Sequence, residues 1–155
     1  IEVIHTPGHA SNHLCYLLKD EKLLFTGDHI MDGSTVVIAS PDGSMQDYID
    51  SLAKLKEYDL NKIAPGHGEL IDEPYAVVDW IIKHRFERES KVIDVLKQHN
   101  SGDLNTLVKD IYSDVDSMLH PVAKWSLESH LVKLMDEGVV TRKKDKFFYI
   151  GDQSV

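Results

Sequence analysis

The stretch of sequence that decides the fold is residues 1–28, IEVIHTPGHASNHLCYLLKDEKLLFTGD, which contains three short apolar runs separated by turn-forming residues. The runs cover residues 1–5, 13–19 and 22–26, and each has the length of a typical strand. Residues 19–22, Lys-Asp-Glu-Lys, have the composition of a hairpin turn. We therefore predict three strands, of which the second and third form a hairpin.

Helical and strand patterns follow each other in the next part of the chain. Residues 44–47 resemble a capping box, and apolar residues then recur at helical spacing as far as Tyr58. Residues 62–64 have the pattern of a short strand, which the sequence Pro-Gly-His-Gly at 65–68 ends sharply. We therefore predict a helix, a short strand and a loop in this order.

A second helix is predicted to begin near Asp72, which is suited to the N-cap, with Pro74 in its first turn. Its apolar face extends to Ile81, but the continuation at residues 83–89 is polar and lacks this stripe. We place a domain boundary there and divide the chain into domains of residues 1–85 and 86–155.

The second domain has a different pattern. Apolar residues at helical spacing predict three helices, at residues 92–96, 104–112 and 121–137. Gly138 is placed to cap the last helix, and strand-like runs at 139–141 and 147–150 flank the charged turn 142–146. Three helices followed by a β-hairpin are typical of a winged helix.

The composition excludes several kinds of protein. Cys15 is the only cysteine, which excludes an internal disulfide and a cysteine-based zinc site, and we expect it to be buried in a strand. The net charge of −9 argues against a surface built wholly for polyphosphate or an anionic membrane. No run of about 18 apolar residues is present, so we predict no membrane-spanning helix and expect a cytoplasmic protein. The start at Ile1, without an initiator Met, is interpreted as a cut.

Three separated fragments each place one potential metal ligand directly after a predicted strand. They are Thr6-Pro7-Gly8-His9, Thr26-Gly27-Asp28 and Ala64-Pro65-Gly66-His67-Gly68. Loops at the ends of strands in one sheet can converge on one point even when they are far apart in sequence. Glycine beside each candidate allows the tight turn that such a loop needs. The candidate metal ligands are therefore His9, Asp28 and His67, and the alternative is that they are polar loop residues.

In this order, the three fragments resemble the third, fourth and fifth metal motifs of the metallo-β-lactamase superfamily. The resemblance implies an α/β fold, the second half of a metallo-β-lactamase αββα sandwich, for residues 1–85. The second domain resembles the small winged-helix (α+β) domain appended to one branch of this superfamily, through Leu119-His120, His130-Leu131 and Glu137-Gly138. That branch is similar to hydrolases of glyoxalase II type, and some of its relatives cut RNA.

The resemblance implies a metal-dependent hydrolase in which a metal-bound hydroxide attacks an ester, thioester or phosphodiester. Zinc accepts imidazole nitrogen and carboxylate oxygen, and it lowers the pKa of bound water to about 7. By resemblance, Asp28 is the catalytic residue and bridges two metals, while His9 and His67 are further ligands. Two zinc ions are expected in the intact parent protein, with other divalent metals as alternatives.

The superfamily's first signature, His-x-His-x-Asp-His, is absent from the sequence. We therefore expect this chain to carry only part of the metal site and to be inactive alone. The missing half of the fold would leave one face of the strands open, so we expect a homo-oligomer joined through the incomplete sheet. The expected partner otherwise is a small-molecule ester or thioester, or RNA, and no membrane.

Two alternative functions remain open. A nucleic-acid-binding winged-helix module is favoured by the basic cluster at 142–146 and opposed by the acidic balance of the chain. The other alternative is an inactive structural fragment.

Several conspicuous side chains are assigned to packing or support. Those on helical stripes are expected in the core, namely Met45, Tyr48, Trp80 and Trp125. His13 is expected to have a supporting or structural role. His29, directly after Asp28, is expected to face solvent or to support the ligands.

Overall fold

The computed structural model describes residues 1–151. They divide into two compact units, one comprising Ile1–Arg85 and the other starting at Phe86. Among the described residues, no helix has the length and apolar character that crossing a membrane requires.

A four-stranded sheet forms the centre of the first unit. Its strands lie in the order β1 (Glu2–His5), β2 (Leu14–Leu18), β3 (Leu23–Gly27) and β4 (Lys62–Pro65). β2 is antiparallel to both β1 and β3, whereas β4 is parallel to β3. All four predicted strands are confirmed, and each of their ends lies within one residue of its predicted position.

One face of the sheet is buried in the core of this unit. Alternate strand residues such as Ile4, Cys15 and Leu24 point inward and are almost completely buried. They share one apolar cluster with the buried face of helix α1 (Met45–Leu55). Ser44 is the N-cap of α1, and its Oγ accepts a hydrogen bond of 3.2 Å from the backbone N–H three residues later, as the capping box predicts.

The opposite face of the sheet carries an exposed apolar row. Val3 pairs with Tyr16, and Tyr16 pairs with Phe25, so these three side chains lie side by side across three strands. All three are exposed, as is Leu14 on the same face. The homo-oligomer that we expect to form through this sheet stays a prediction. The exposed row consists of the side chains that such an interface would bury.

Helix α2 (Pro74–His99) continues through the polar segment 83–89, so the helix predicted to begin near Asp72 and the helix predicted at residues 92–96 are one helix. Three charged residues of this region, Arg85, Arg88 and Glu89, are buried. They recur at helical spacing, so they continue the inward stripe of the helix with ionic side chains. A search for apolar periodicity misses such a stripe because the buried groups are polar.

The second unit has the predicted winged-helix arrangement. Beyond the end of α2 it contains α3 (Leu104–Ile111), a short 3₁₀ helix (Ser117–Leu119), α4 (His120–Asp136) and the antiparallel hairpin of β5 (Val140–Lys143) and β6 (Lys146–Tyr149). Gly102 and Phe147 exchange two backbone hydrogen bonds of 2.9 and 3.1 Å, which joins the segment before α3 to the hairpin. Gly138 ends α4 in the left-handed conformation, φ +73°, as predicted.

Ion pairs accompany the apolar core of the second unit. The Arg88 guanidinium donates to both carboxylate oxygens of Asp114 at 2.8 Å and holds the pKa of that carboxyl well below its usual range. The Lys133 ammonium lies 2.9 Å from a Glu89 carboxylate oxygen and 2.6 Å from one of Glu137. These ion pairs provide partners for the charged side chains that α2 and α4 bury in the second unit.

The two tryptophans lie outside the core. Met45 and Tyr48 are buried as expected, but Trp80 and Trp125 are 46% and 53% exposed, so the expectation that they pack in the core is wrong. Leu127 lies on the buried face of α4. A residue two positions away is rotated by about 200° around an α-helix, which turns Trp125 outward.

Leu24 and Phe25 are neighbours in β3 that face opposite sides of the sheet, and they provide a matched test of this core. We expect Leu24→Ala to lower the free energy of unfolding by about 2–5 kcal/mol, because it removes a completely buried side chain from a packed core. Phe25→Ala is expected to lower it by less than about 1 kcal/mol. Urea denaturation at low protein concentration measures both, and equal losses would contradict the assigned faces.

The exposed row also predicts self-association. Burial of apolar surface stabilises by roughly 25 cal/mol per Å², so a second copy covering the row would gain several kcal/mol before entropic costs. We expect sedimentation velocity at tens of micromolar to show a dimer or larger assembly, and Tyr16→Ser to shift it towards monomer. A wild-type chain that stays monomeric would contradict this prediction, and the exposed Trp125→Ser serves as the control.

Candidate metal centre

The direction of the strands brings four loops to one edge of the sheet. β1, β3 and β4 run the same way, so their carboxyl ends lie at this edge, where β2 begins. His9 follows β1, Asp28 follows β3 and His67 follows β4. His13 directly precedes β2. The topology thus places each candidate ligand at the same edge of the sheet.

Asp28 and His67 lie close together at this edge. The N–H of Gly66 donates a 2.8 Å hydrogen bond to the carbonyl of Gly27, which extends the contact between the loops that follow β3 and β4. The His67 Nε2 lies 3.3 Å from Asp28 Oδ1, and both side chains are exposed. A Cβ on Gly66 would lie 3.0 Å from the same carboxylate oxygen, a tight contact that would move this neighbour by a few tenths of an ångström.

His9 is held by its backbone and by one ring nitrogen. The preceding Gly8 has φ +143°, and a Cβ there would lie 2.4 Å from the Cα of Tyr48, so the loop packs directly on α1. The His9 Nδ1 lies 2.8 Å from the carbonyl oxygen of Val37, which can only accept a hydrogen bond, and Nδ1 therefore carries the proton. Neutral His9 then presents a free lone pair on Nε2, the arrangement typical of a metal-binding histidine.

His13 is anchored beneath the edge by a short hydrogen-bonded chain. Its Nδ1 lies 2.9 Å from the hydroxyl of Thr6, which in turn lies 3.3 Å from the thiol of Cys15. Burial lowers the pKa of His13, and neighbouring His9 lowers it further, whereas Asp28 raises it. His13 is therefore fixed in orientation within electrostatic range of two candidate ligands, which agrees with a supporting role.

His29 is completely buried, so the expectation that it could face solvent is wrong. Its ring lies 5.4 Å from that of His13 and 4.9 Å from that of Tyr48. Burial lowers the pKa of His29 to about 3, so the ring is neutral near pH 7. Neither ring nitrogen has a hydrogen-bond partner among residues 1–151. Such unsatisfied buried groups are rare in proteins and are concentrated at functional sites.

Sequence reasoning did not find the two side chains that support this edge from below. The Tyr48 hydroxyl donates a 2.8 Å hydrogen bond to the carbonyl of His29, so it has a role beyond the core packing assigned to it. Arg85, treated only as the last residue before the boundary, is buried and lies over the Tyr48 ring. The signal for Arg85 was its position one helical turn after Ile81 on the inward stripe.

The chemistry of the candidate donors fits a divalent metal. His9 and His67 offer imidazole nitrogen and Asp28 offers carboxylate oxygen, which are ligand types that zinc accepts. In the described part of the chain, however, no group of three or more His, Cys, Asp or Glu side chains is close enough to hold an ion. The structure therefore brings Asp28 and His67 together and does not bring His9 into one cluster with them.

The loops at this edge lie in a part of the chain that matches the model of a known protein family. Residues 1–67 match the model of the metallo-beta-lactamase superfamily, and residues 104–148 match that of the beta-lactamase associated winged helix domain. The chain belongs to the metallo-β-lactamase superfamily. Membership implies binding of a divalent metal, and the winged helix places the chain in a branch of glyoxalase II type.

Relatives in the superfamily extend over nearly the whole chain. The Beta-lactamase-like protein 2 homolog of Caenorhabditis elegans is 34% identical over 155 residues, which cover 99% of this chain and 51% of the relative. The Atrochrysone carboxyl ACP thioesterase of Cryptosporiopsis sp. is 26% identical over 155 residues, covering 90% of this chain and 47% of the relative. The chain thus spans about half the length of the curated relatives that it matches.

A solved structure supports the fold. The crystal structure of a metallo-beta-lactamase family protein from Thermus thermophilus superposes with a TM-score of 0.83 at 21% identity. The match covers 96% of this chain and 49% of that protein. At this identity the likeness concerns the fold, and it confirms the predicted metallo-β-lactamase fold with a winged-helix domain.

Cys15 lies at the buried end of the hydrogen bonds that link it through Thr6 to His13, and we expect its thiol to be unreactive. Burial raises the pKa of Cys15 to about 11, and Thr6 opposes this rise. At pH 8 only about one thiol in a thousand would then be ionised, and the thiolate is the reactive form. We expect no measurable reaction of the native chain with Ellman's reagent within minutes, and complete reaction in guanidinium chloride. Rapid reaction of the native chain would contradict the burial of Cys15.

Proposed function

We propose that this chain is the part of a metal-dependent hydrolase that carries the second half of its metal site. The observation that carries the proposal is the 3.3 Å approach of His67 Nε2 to Asp28 Oδ1 at the common edge of the sheet. Two exposed side chains of these types, fixed by parallel strands and glycine turns, have the chemistry of metal ligands. Superfamily membership supports a hydrolase.

We assign the ligands as follows. Asp28 would bridge two ions, His67 would bind one of them through Nε2, and His9 would bind through the Nε2 that its bond to Val37 leaves free. Zinc is the metal that we propose, since histidine nitrogen and carboxylate oxygen without thiolate suit it, although they also suit other divalent ions. The remaining ligands would come from outside residues 1–151 of this chain.

Asp28, His67 and His9 would hold a divalent metal that, when bound, would supply a Lewis acid and a nucleophile near neutral pH, since such an ion lowers the pKa of bound water to about 7. The chain's own residues prepare the site for this chemistry. Asp28 contributes negative charge on an exposed loop that substrate can reach. His13 is held in one orientation by Thr6, and the neutral ring of His29 adds no positive charge beneath the ligands.

The substrate class that we propose is an acyl thioester. A relative that matches 90% of this chain is named a thioesterase, which favours acyl transfer to water over the alternatives. A phosphodiester, including RNA, is the second candidate that the same metal chemistry serves. Among the described residues no three candidate ligands lie close enough to hold an ion, and we therefore propose that the chain alone is inactive and that turnover needs additional ligands.

Substitution of Asp28 tests the proposal through metal binding. We expect the wild-type chain to bind at most one Zn²⁺, weakly, and Asp28→Asn to reduce the association constant at least about tenfold, since loss of even an outer-shell partner costs that much. Isothermal titration calorimetry measures both constants. Asp59→Asn is the control, since it removes another exposed carboxylate, one that pairs with Lys22 away from the candidate ligands. Two tightly bound ions, or equal affinities for wild type and Asp28→Asn, would contradict the assignment.

Activity gives the second readout of the same substitution. The isolated chain is expected to hydrolyse acyl thioesters at the background rate. In the longer protein that would contain it, Asp28→Ala is expected to abolish thioester hydrolysis that chelators also inhibit. Chelator-sensitive turnover by the chain alone would show that its site is complete, and activity retained by Asp28→Ala would remove Asp28 from the mechanism. Cleavage of an RNA substrate in place of a thioester would select the phosphodiester alternative.

A further inference from the structure

We propose that Arg85 is a positioning residue for His9, acting through the peptide carbonyls of Val36 and Val37 and through Tyr48. The inference rests on the proposed function, since it concerns how a ligand of the proposed metal site is oriented. It assigns a role in the site to a residue that lies on helix α2, away from the loops that carry the ligands.

Arg85 is only 4% exposed and meets the loop that follows Asp28. Its Nη2 donates a hydrogen bond to the carbonyl oxygen of Val36. The next carbonyl along the chain, that of Val37, accepts the 2.8 Å hydrogen bond from His9 Nδ1. Arg85 thus binds the carbonyl of Val36, and His9 binds the next carbonyl, that of Val37. By holding Val36 in place, Arg85 restricts the position of the carbonyl that accepts from His9.

A second route from Arg85 to His9 passes through Tyr48. The guanidinium carbon lies 5.2 Å from the centre of the Tyr48 ring, within the range of a cation–π interaction. The backbone of Tyr48 contacts Gly8 so closely that a Cβ on Gly8 would lie 2.4 Å from its Cα. Gly8 directly precedes His9, so Arg85 supports the residue beside His9 as well as the acceptor of its ring.

The chemistry of Arg85 favours positioning over core packing. Burial of a guanidinium carries a large desolvation cost, and well-packed apolar side chains in place of buried ions are often neutral or stabilising. One of its nitrogens, Nε, is buried without a hydrogen-bond partner among residues 1–151. The contacts of Arg85 with the Val36 carbonyl and with the Tyr48 ring account for an arginine at this buried position, because both partners adjoin residues that hold His9.

Arg88 offers a matched control three residues further along the same helix. It is 7% exposed, donates to the carbonyl of Ile111 and lies over the ring of Tyr112 at 4.3 Å. Arg88 therefore shares with Arg85 its burial, a backbone carbonyl acceptor and a tyrosine ring. It differs from Arg85 in its ion pair with Asp114, and its contacts lie in the second unit. A general effect of losing a buried arginine from α2 would appear in both variants, whereas an effect on His9 should appear only in Arg85 variants.

The experiment measures the tautomer of His9 in the metal-free chain. Long-range ¹H–¹⁵N spectra at mildly alkaline pH report which ring nitrogen carries the proton. We expect the wild-type chain to hold the proton on Nδ1. Arg85→Gln should shift His9 towards the Nε2–H tautomer, which is favoured in water, and Arg88→Gln should leave it unchanged. Arg85→Lys retains the charge and one donor and should give an intermediate result.

Zn²⁺ affinity of the same variants supplies a second readout. Competition with a chromophoric chelator should show a dissociation constant raised about 10- to 100-fold by Arg85→Gln, the range found when partners of metal ligands are removed, and unchanged by Arg88→Gln. A smaller increase in Arg85→Lys would support positioning, because the lysine keeps both a hydrogen-bond donor and the positive charge that interacts with the Tyr48 ring, whereas glutamine loses the charge.

The outcomes separate this inference from the proposed function. An Nε2–H tautomer in the wild-type chain, or an Nδ1–H tautomer retained in both Arg85 variants, would overturn the role of Arg85. If Arg85→Gln loses the amide pattern of the sheet, the wild-type spectrum and Arg85→Lys decide. A tautomer that shifts as expected in a chain without Zn²⁺ affinity would reject the metal site and keep the orientation of His9 by Arg85.

Discussion

The candidate site depends on one backbone constraint, the parallel pairing of β3 with β4. The two strands leave the sheet at the same edge, and the 2.8 Å bond between Gly66 and Gly27 extends their pairing beyond it. Asp28 and His67 therefore emerge side by side although they are distant in sequence. A Cβ at position 66 would lie 3.0 Å from Asp28 Oδ1 and from the backbone of Gly27, so a larger residue there would disturb the approach of the two loops.

The side chains that lie beneath this edge are polar and buried, and their burial costs more free energy of desolvation than an apolar core would. The rings of His29 and Tyr48 and the guanidinium of Arg85 lie where leucine or phenylalanine would pack without desolvation of polar groups. Proteins tolerate such local costs mainly where a functional group must be held in one orientation. In the second unit, by contrast, the buried charges of Arg88 and Glu89 have ionic partners.

Sequence patterns were sufficient for the strands, the capped helix α1, the winged helix and the three loops with candidate ligands. Alternation, capping and glycine turns are local signals, and here tertiary structure agrees with them. The continuity of α2 was not predictable in this way. Arg85 and Arg88 have the charge of solvent-exposed residues, and only their contacts in the folded chain show that they lie on the buried face of the helix. The burial of His29 and the exposure of Trp125 depend in the same way on contacts between segments, which a single sequence does not show.

The boundary between the two units falls within α2, and this has a consequence for how the protein would be degraded. Proteases bind an extended segment of several residues, and a helix must unwind locally before it can be cleaved. The junction between Arg85 and Phe86 is part of a hydrogen-bonded helix that is anchored by buried side chains on each side. Limited digestion would therefore begin in the described loops, and separation of the two units by a protease would require local unwinding of α2.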